Sequence, residues 1–150
     1  MTTYGPETTT DEVLLGHDLT GRHFMITGAS SGLGEESSRA LAQAGATVTM
    51  LARNQNKLDT AIERIKSSNP SAILNTGIAD LSDQQSIRDY AQEFLATGAS
   101  IDVLINNAGV MVCPYGKTVD GIEMQFGTNH IGHFLLTNLL MPAILAGTNP

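Results

Sequence analysis

The stretch Thr27-Gly28-Ala29-Ser30-Ser31-Gly32-Leu33-Gly34 decides the fold of this 150-residue chain. A short apolar run, 23–27, leads into it, and small and apolar side chains recur at helical spacing over 32–44 after it. This pattern predicts a strand, a glycine-rich turn and a helix. Glycines allow a sharp turn and a close backbone approach, and the N–H groups at a helix start attract anions. We therefore predict a dinucleotide phosphate site, with a purely structural turn as the alternative.

The alternation of short apolar runs and helical segments continues along the chain. Further strands are predicted over 46–51, 72–77 and 101–106. Helices are predicted over 55–68 behind an Asn54 cap, after a Ser82 cap, and over about 119–145. Strands that alternate with helices of this length are typical of βαβ units. The sequence thus predicts an α/β fold, a Rossmann-like doubly wound parallel sheet with strand order 3-2-1-4.

Two regions are expected along the chain. Residues 1–20 show no clear period and are predicted to be an N-terminal arm, and residues 21–150 the dinucleotide-binding Rossmann domain. We expect the sheet to be incomplete at its strand-four edge. An exposed apolar edge favours association with other chains. On this basis we expect 1–150 to be the N-terminal part of a longer parent.

Composition and charge exclude several classes of protein. Fifteen acidic against eight basic residues leave a net charge of −7, which argues against a nucleic-acid partner. Cys113 is the single cysteine, so an internal disulfide is impossible and a reducing compartment is indicated. The N-terminus lacks the pattern of a secretory signal, and the longest apolar segment, 134–146, is too short to span a bilayer. We expect a cytoplasmic protein with no membrane span.

The glycine spacing resembles that of the classical branch of the short-chain dehydrogenase/reductase family. Three further motifs follow in the family's order: Asp80-Leu81 after the third strand, Asn106-Asn107-Ala108-Gly109 after the fourth, and Asn129 on the last helix. The segment 106–140 resembles the retinol-dehydrogenase-like subgroup in particular. The resemblance implies an oxidoreductase that transfers hydride between a nicotinamide and a small lipophilic alcohol or carbonyl substrate. It also implies a homo-oligomer if a longer parent exists.

The residue at the end of the second strand predicts which cofactor is preferred. Nucleotide folds that prefer NAD carry a carboxylate there, which binds the ribose 2′-hydroxyl. This chain has Arg53 instead, and a guanidinium can pair with a 2′-phosphate. We therefore predict NADP(H) over NAD(H). A solvated surface arginine is the alternative.

The resemblance also assigns roles to individual residues. Asp80 would bind the adenine amino group with Leu81 packing nearby, although the pair also fits an ordinary strand-to-helix turn. The cofactor-binding residues predicted in this way are Gly28, Ser30, Ser31, Gly32, Leu33, Gly34, Arg53, Asp80, Leu81, Asn107, Ala108 and Gly109. The catalytic residue predicted is Asn129, which would anchor a water in a proton relay; a local helix kink or a packing contact is the alternative. His130 and His133 are expected to be packing or interface residues, and no metal site is expected.

The family's proton-transfer pair is missing from these residues. In the family a tyrosine acts as general acid/base, and a lysine four residues later lowers its pKa. Here lysine never follows at that spacing: Tyr4 is followed by Thr8, Tyr90 by Phe94 and Tyr115 by Val119. The chain is therefore expected to carry the cofactor-binding part of an NADP(H)-dependent oxidoreductase and to be inactive alone. The alternative is a non-catalytic NADP(H)-binding or regulatory module.

Overall fold

A four-stranded parallel sheet with helices on both faces forms the centre of the molecule. The computed structural model describes residues 4–148. The strands lie in the order β3-β2-β1-β4, which confirms the predicted Rossmann-like α/β fold. The elements are α1 (Thr10–Leu14), β1 (His23–Thr27), α2 (Gly32–Gln43), β2 (Thr47–Ala52), α3 (Gln55–Ser68), β3 (Ile73–Ile78), α4 (Gln84–Ala96), β4 (Val103–Ile105), α5 (Met124–Phe126), a π-helix (Gly127–Gly132) and α6 (His133–Leu145). The outer ends of the two predicted regions, 1–3 and 149–150, lie outside the described residues.

Two apolar cores, one on each face of the sheet, hold the helices in place. Successive side chains of a strand point to opposite faces, so a central parallel strand is apolar throughout. In β1, Phe24 and Ile26 belong to the core under α2 and α3. Met25 belongs to the core under α4 and α6, together with Leu136 and Leu140. The register pairs Met25 with Thr49 of β2 and with Leu104 of β4.

Most predicted elements occur with small shifts at their ends. β1 and α3 have the predicted bounds, and the Asn54 side chain caps α3 by accepting from the backbone N of Lys57 at 3.0 Å. β2 and β3 each lie one residue later than predicted. β4 is shorter than the predicted 101–106, because Ile101 donates its backbone N–H to Ala143 of α6 and so leaves the ladder.

The predicted cap of α4 is wrong by one residue. Asp83, not Ser82, occupies the N-cap and accepts from the backbone N of Gln85 at 2.9 Å. The Ser82 hydroxyl instead donates to the Asp80 carboxylate at 2.7 Å. Since the Ser82 hydroxyl is bonded to Asp80, the cap falls to Asp83, whose carboxylate also interacts favourably with the positive end of the helix dipole.

The prediction of a single long helix over about 119–145 is also wrong. Asp120 and Gly121 lie in a turn, in which Gly121 has a φ of 80°. Helix formation begins only after Glu123, whose carboxylate accepts from the backbone N of Phe126 at 2.8 Å. The segment then runs through α5, the π-helix and α6. A residue at positive φ cannot be part of a right-handed helix, so no helix runs through Gly121. The capping side chain of Glu123 then favours the start of a helix after it.

The predicted N-terminal arm contains a short helix that the sequence pattern did not indicate. Residues 10–14 form α1 behind a capping box, in which Thr9 and Glu12 satisfy each other's backbone N–H groups. Arg39 of α2 contacts Asp11 at 2.9 Å, so α1 is attached to the domain. No helix within residues 4–148 combines the length and apolar character that crossing a membrane requires.

Candidate functional site

An open groove of about 640 Å³ lies at the carboxyl ends of the strands. It extends from the end of β2 past the glycine-rich turn after β1 to the loop after β4. Strands β2 and β3 lie in turn on one side of β1, and β4 lies on its other side, so the direction in which successive strands are added changes between β1 and β4. In doubly wound sheets this switch point is where a crevice forms and ligands bind.

Most of the predicted cofactor residues meet in this groove. Those that line it are Gly28, Ser30, Ser31, Leu33, Arg53, Asp80, Leu81, Asn107, Ala108 and Gly109. Gly32, Gly34 and Asn129 are not part of its lining. Gly34 is buried beneath the turn, and Asn129 lies behind the loop after β4.

Two glycines allow the turn after β1 to pack against the loop after β4. Gly28 has a φ of 67°, and a Cβ there would lie 2.8 Å from the Ala108 Cα. A Cβ on Gly34 would collide with the carbonyl oxygen of Gly28 and lie 2.6 Å from the Asn107 Nδ2. Real Cβ atoms do not come this close to backbone, so both positions require glycine.

The start of α2 faces this turn with free backbone donors. Ser31 is the N-cap residue, but its side chain makes no capping hydrogen bond. The first N–H groups of a helix have no acceptor within the helix. Ser31, Gly32 and Leu33 are exposed, so solvent or an anion can reach this end of the helix.

Hydrogen bonds join the two loops that form the walls of the groove. The Asn107 Nδ2 donates to the Thr27 carbonyl oxygen at 2.9 Å. The Ala108 backbone N donates to the Thr27 hydroxyl at 2.9 Å. Asn107 thus has a structural bond to β1 in addition to its position on the groove surface.

The side chain of Asn129 holds the loop after β4 by two hydrogen bonds. Its Oδ1 accepts from the Val110 backbone N, and its Nδ2 donates to the Val110 carbonyl oxygen, both at 2.8 Å. The side chain lies in the π-helix, where the wider turn alters the direction of side chains relative to an α-helix. The amide therefore positions Val110, which lines the groove.

Two cations lie at the end of the groove next to β2. Arg53 follows the strand, and Lys57 lies in the first turn of α3; both are exposed and line the groove. Among residues 4–148 neither side chain has an ion-pair partner. Lys57 was not among the cofactor-binding residues predicted from the sequence. The signal available for it was its place in the first turn of a predicted helix, four residues after Arg53.

The carboxylate of Asp80 takes part in a local turn. Its Oδ1 accepts from the Ser82 backbone N at 2.9 Å and from the Ser82 hydroxyl at 2.7 Å. The Asp80 backbone N donates to the Ser86 hydroxyl at 3.0 Å. The strand-to-helix turn is therefore present, and the residue still lines the groove. The buried Leu81 lies beside it and packs against Gly132 of the π-helix.

The chemistry available in the groove is that of binding. It offers backbone donors, hydroxyls and two cations, and no tyrosine lines it. Within the described part of the chain, no group of three or more His, Cys, Asp or Glu residues could hold a metal ion. Such a surface suits a ligand with phosphates and a polar sugar.

Comparison with known proteins agrees with this geometry. The family model for short chain dehydrogenases matches residues 22–149. Retinol dehydrogenase 12 of Mus musculus is 47% identical over 121 residues, which cover 81% of this chain and 38% of that protein. The chloroplastic short-chain dehydrogenase TIC 32 B of Brassica napus is 44% identical over 140 residues, 92% of this chain and 43% of that protein. The chain thus spans well under half the length of these relatives.

Two solved structures share the fold. A protein of uncharacterised function from Mycobacterium paratuberculosis superposes with a TM-score of 0.74 at 44% identity, covering 85% of this chain and 44% of that one. A protein assigned as a short chain dehydrogenase of Escherichia coli CFT073, complexed with NADPH, has a TM-score of 0.71 at 29% identity. That superposition covers 87% of this chain and 56% of that one.

Proposed function

This chain belongs to the short-chain dehydrogenase/reductase family and is retinol-dehydrogenase-like in sequence, and from that premise we propose that it is the cofactor-binding part of an NADP(H)-dependent oxidoreductase. Members of the family bind a nicotinamide cofactor and act on alcohols and carbonyl compounds. The substrate proposed here is a small lipophilic alcohol or carbonyl compound. A cytoplasmic location and homo-oligomerisation stay predictions from the sequence.

The observation that carries the proposal is the close packing at Gly28 and Gly34, which lie at the switch point of the sheet. The space that a Cβ on Gly28 or Gly34 would fill is taken by the backbone and side-chain amide of the facing loops. The turn after β1, the loop after β4 and the start of α2 are therefore packed together at the place where a pyrophosphate would meet the first N–H groups of α2. Ser30 and Ser31 add hydroxyl donors on the same surface. These residues fit the cofactor, and the nicotinamide would supply the hydride when bound.

Arg53 and Lys57 support a preference for NADP(H). A 2′-phosphate adds two negative charges to the adenosine ribose, and both cations lie on the groove at the end of β2. Asn54, the residue between them on the groove surface, carries no charge. Arg53 can bind a phosphate in a bidentate manner, and Lys57 would act as a point charge.

Titration of the protein with NADPH and with NADH, followed by nucleotide fluorescence, tests this preference. Losing one charge-assisted hydrogen bond costs about 1.5–3 kcal/mol, so Arg53→Ala should weaken NADPH binding by about tenfold or more. Lys57→Ala should have a smaller effect in the same direction. NADH affinity should not change, because NADH lacks the 2′-phosphate.

Arg88→Ala serves as the matched control, since it removes an exposed arginine on α4 that does not line the groove. It should leave both affinities unchanged. Equal losses for NADPH and NADH in the Arg53→Ala variant would contradict a 2′-phosphate contact. Failure of the unsubstituted chain to bind either nucleotide would contradict the proposed function as a whole.

A non-catalytic NADP(H)-binding module is the second candidate. It rests on the groove residues alone, which offer backbone donors, hydroxyls and two cations for holding a nucleotide. We propose that residues 1–150 alone bind the cofactor without turnover. Incubation with NADPH and a series of lipophilic aldehydes should show no oxidation of the nucleotide above the rate without protein. Oxidation that depends on the aldehyde would contradict this.

A further inference from the structure

His133 is a buried histidine that connects two parts of the site. It begins α6, directly after the π-helix, and only 6% of it is exposed. Its Nδ1 lies 2.9 Å from the Asn129 carbonyl oxygen, and its Nε2 lies 2.8 Å from the Thr27 hydroxyl. Neither the groove lining nor the proposed cofactor contacts include this ring.

The neighbours of the ring determine where its proton lies. A carbonyl oxygen only accepts hydrogen bonds, so Nδ1 carries the hydrogen and donates it to Asn129. The Thr27 hydroxyl oxygen already accepts from the Ala108 backbone N, which leaves its O–H free to donate to Nε2. The hydroxyl lies 3.5 Å from the Ile105 carbonyl oxygen, a poorer acceptor at that distance. A neutral ring with the hydrogen on Nδ1 therefore satisfies every partner.

These bonds close a circuit around the loop after β4. Thr27 holds Ala108 at one end of the segment 108–110, and Asn129 holds Val110 at the other. His133 links the two residues that hold the segment. We propose that His133 is a positioning residue that, through Thr27 and Asn129, fixes residues 108–110 against the glycine-rich turn and thereby sets the affinity of the groove for NADPH. The effect on affinity rests on the proposed function; the circuit itself does not.

Burial and polarity agree with this role. Thr27 is 1% exposed, so its hydroxyl has no water to replace a lost partner. Burial lowers the pKa of His133, and the bond to the Asn129 carbonyl acts in the opposite direction. No charged side chain among residues 4–148 contributes to this shift. The ring thus stays neutral at physiological pH and can accept from Thr27.

The decisive experiment compares amide hydrogen exchange and NADPH affinity across matched variants of the chain. His133→Phe keeps the ring shape and removes both hydrogen bonds. Exchange at the Ala108 and Val110 amides should then rise, and NADPH affinity should fall by about tenfold, as expected for two lost bonds with buried partners left unpaired. His133→Asn keeps a donor for the Asn129 carbonyl and should give an intermediate loss. His130→Phe, an exposed histidine that stacks on Phe126, should change neither.

Each outcome supports or overturns the proposal. Unchanged exchange at Ala108 and Val110 in His133→Phe would overturn it, as would an equal rise at the β2 amides, which indicates a general packing role. If the unsubstituted chain does not bind NADPH, the proposed function fails, while the exchange data still decide whether the circuit exists. If His133→Phe does not fold, the imidazole ¹⁵N spectrum of the unsubstituted chain decides: hydrogen on Nδ1 supports the circuit, and hydrogen on Nε2 overturns it.

Discussion

Gly34 shows how a single missing side chain shapes the site. It lies in the first turn of α2, against the carbonyl oxygen of Gly28 and the side-chain amide of Asn107. Both neighbours belong to the walls of the groove. A side chain at this position would therefore separate α2 from the turn that it supports.

Gly34→Ala should destabilise the protein even though alanine is the better helix former. Helix propensity alone would stabilise the variant by about 1 kcal/mol. The collision of the new Cβ with backbone should cost about 1–3 kcal/mol and outweigh that gain. Denaturant unfolding should show a lower midpoint, and NADPH binding should weaken.

Gly5→Ala is the matched control, because among the described residues no heavy atom beyond its two chain neighbours lies within 4 Å of a Cβ built there. It should leave the unfolding midpoint and the affinity unchanged. A midpoint for Gly34→Ala at or above that of the unsubstituted chain would mean that the turn yields easily, and that close packing at Gly34 is not required.

At the scale of elements, α1 is attached to α2 by a small ionic network. The Arg39 guanidinium contacts Glu36 at 2.7 Å and Asp11 at 2.9 Å, and the Thr10 hydroxyl also donates to Glu36. Hydrogen bonds from Arg39 and Thr10 lower the pKa of Glu36 to about 2. The Glu36 carboxylate must be ionised for this network to form.

We expect α1 to detach in acid. The folded pKa of Glu36 lies below its ordinary value of 4.5, so its stabilisation is complete above about pH 4.5 and is lost as the pH falls towards 2. The side chain is 44% exposed, and solvent screening keeps the effect on global stability small. The protection factors of the α1 amides, which correct for the pH dependence of intrinsic exchange, should therefore fall over this range before the sheet unfolds.

Glu36→Gln should remove this acid dependence and raise exchange in α1 already at neutral pH. Glu63→Gln, an exposed carboxylate on α3, provides the control and should behave like the unsubstituted chain. If the protection factors of the α1 amides in the unsubstituted chain are the same at pH 3 and pH 7, the network does not hold the helix.

At the scale of the whole molecule, the sheet and α6 expose surfaces that favour association. β4 pairs only with β1 among the described strands, so one row of its backbone groups is unpaired. Phe134 is 62% exposed and Leu145 66% exposed, both on α6. Apolar side chains grouped on one helix are typical of a surface that another chain covers.

The 150-residue chain should therefore self-associate in solution. Sedimentation should give a weight-average mass above 15.9 kDa that rises with concentration. Phe134→Lys should shift this mass towards the monomer value, because a charge in an apolar interface is costly. Leu15→Lys changes an even more exposed apolar side chain, outside α6, and should have no effect. A concentration-independent mass of 15.9 kDa would contradict the prediction.

Local patterns in the sequence determined the architecture and most of the groove. Most strands and helices and the glycine turn could be predicted, because apolar periodicity and the conformational freedom of glycine act over a few neighbouring residues. The order of the strands followed from their alternation with helices. The carboxyl ends of parallel strands lie at one edge of the sheet, and this is where Gly28 and Arg53, predicted from the local pattern, and Asp80 and Asn107, implied by the family resemblance, are found.

Only the tertiary structure decided the contacts that hold this groove in shape. The predicted long helix is interrupted by a turn and a π-helix, and the cap of α4 is Asp83, because competing local bonds leave no periodic signal. The clamp of Asn129 on Val110 and the link from His133 to Thr27 join residues far apart in the chain. A single sequence does not encode such pairs as a pattern. Their geometry arises only when the packed sheet brings β1, the loop after β4 and the π-helix within hydrogen-bond distance.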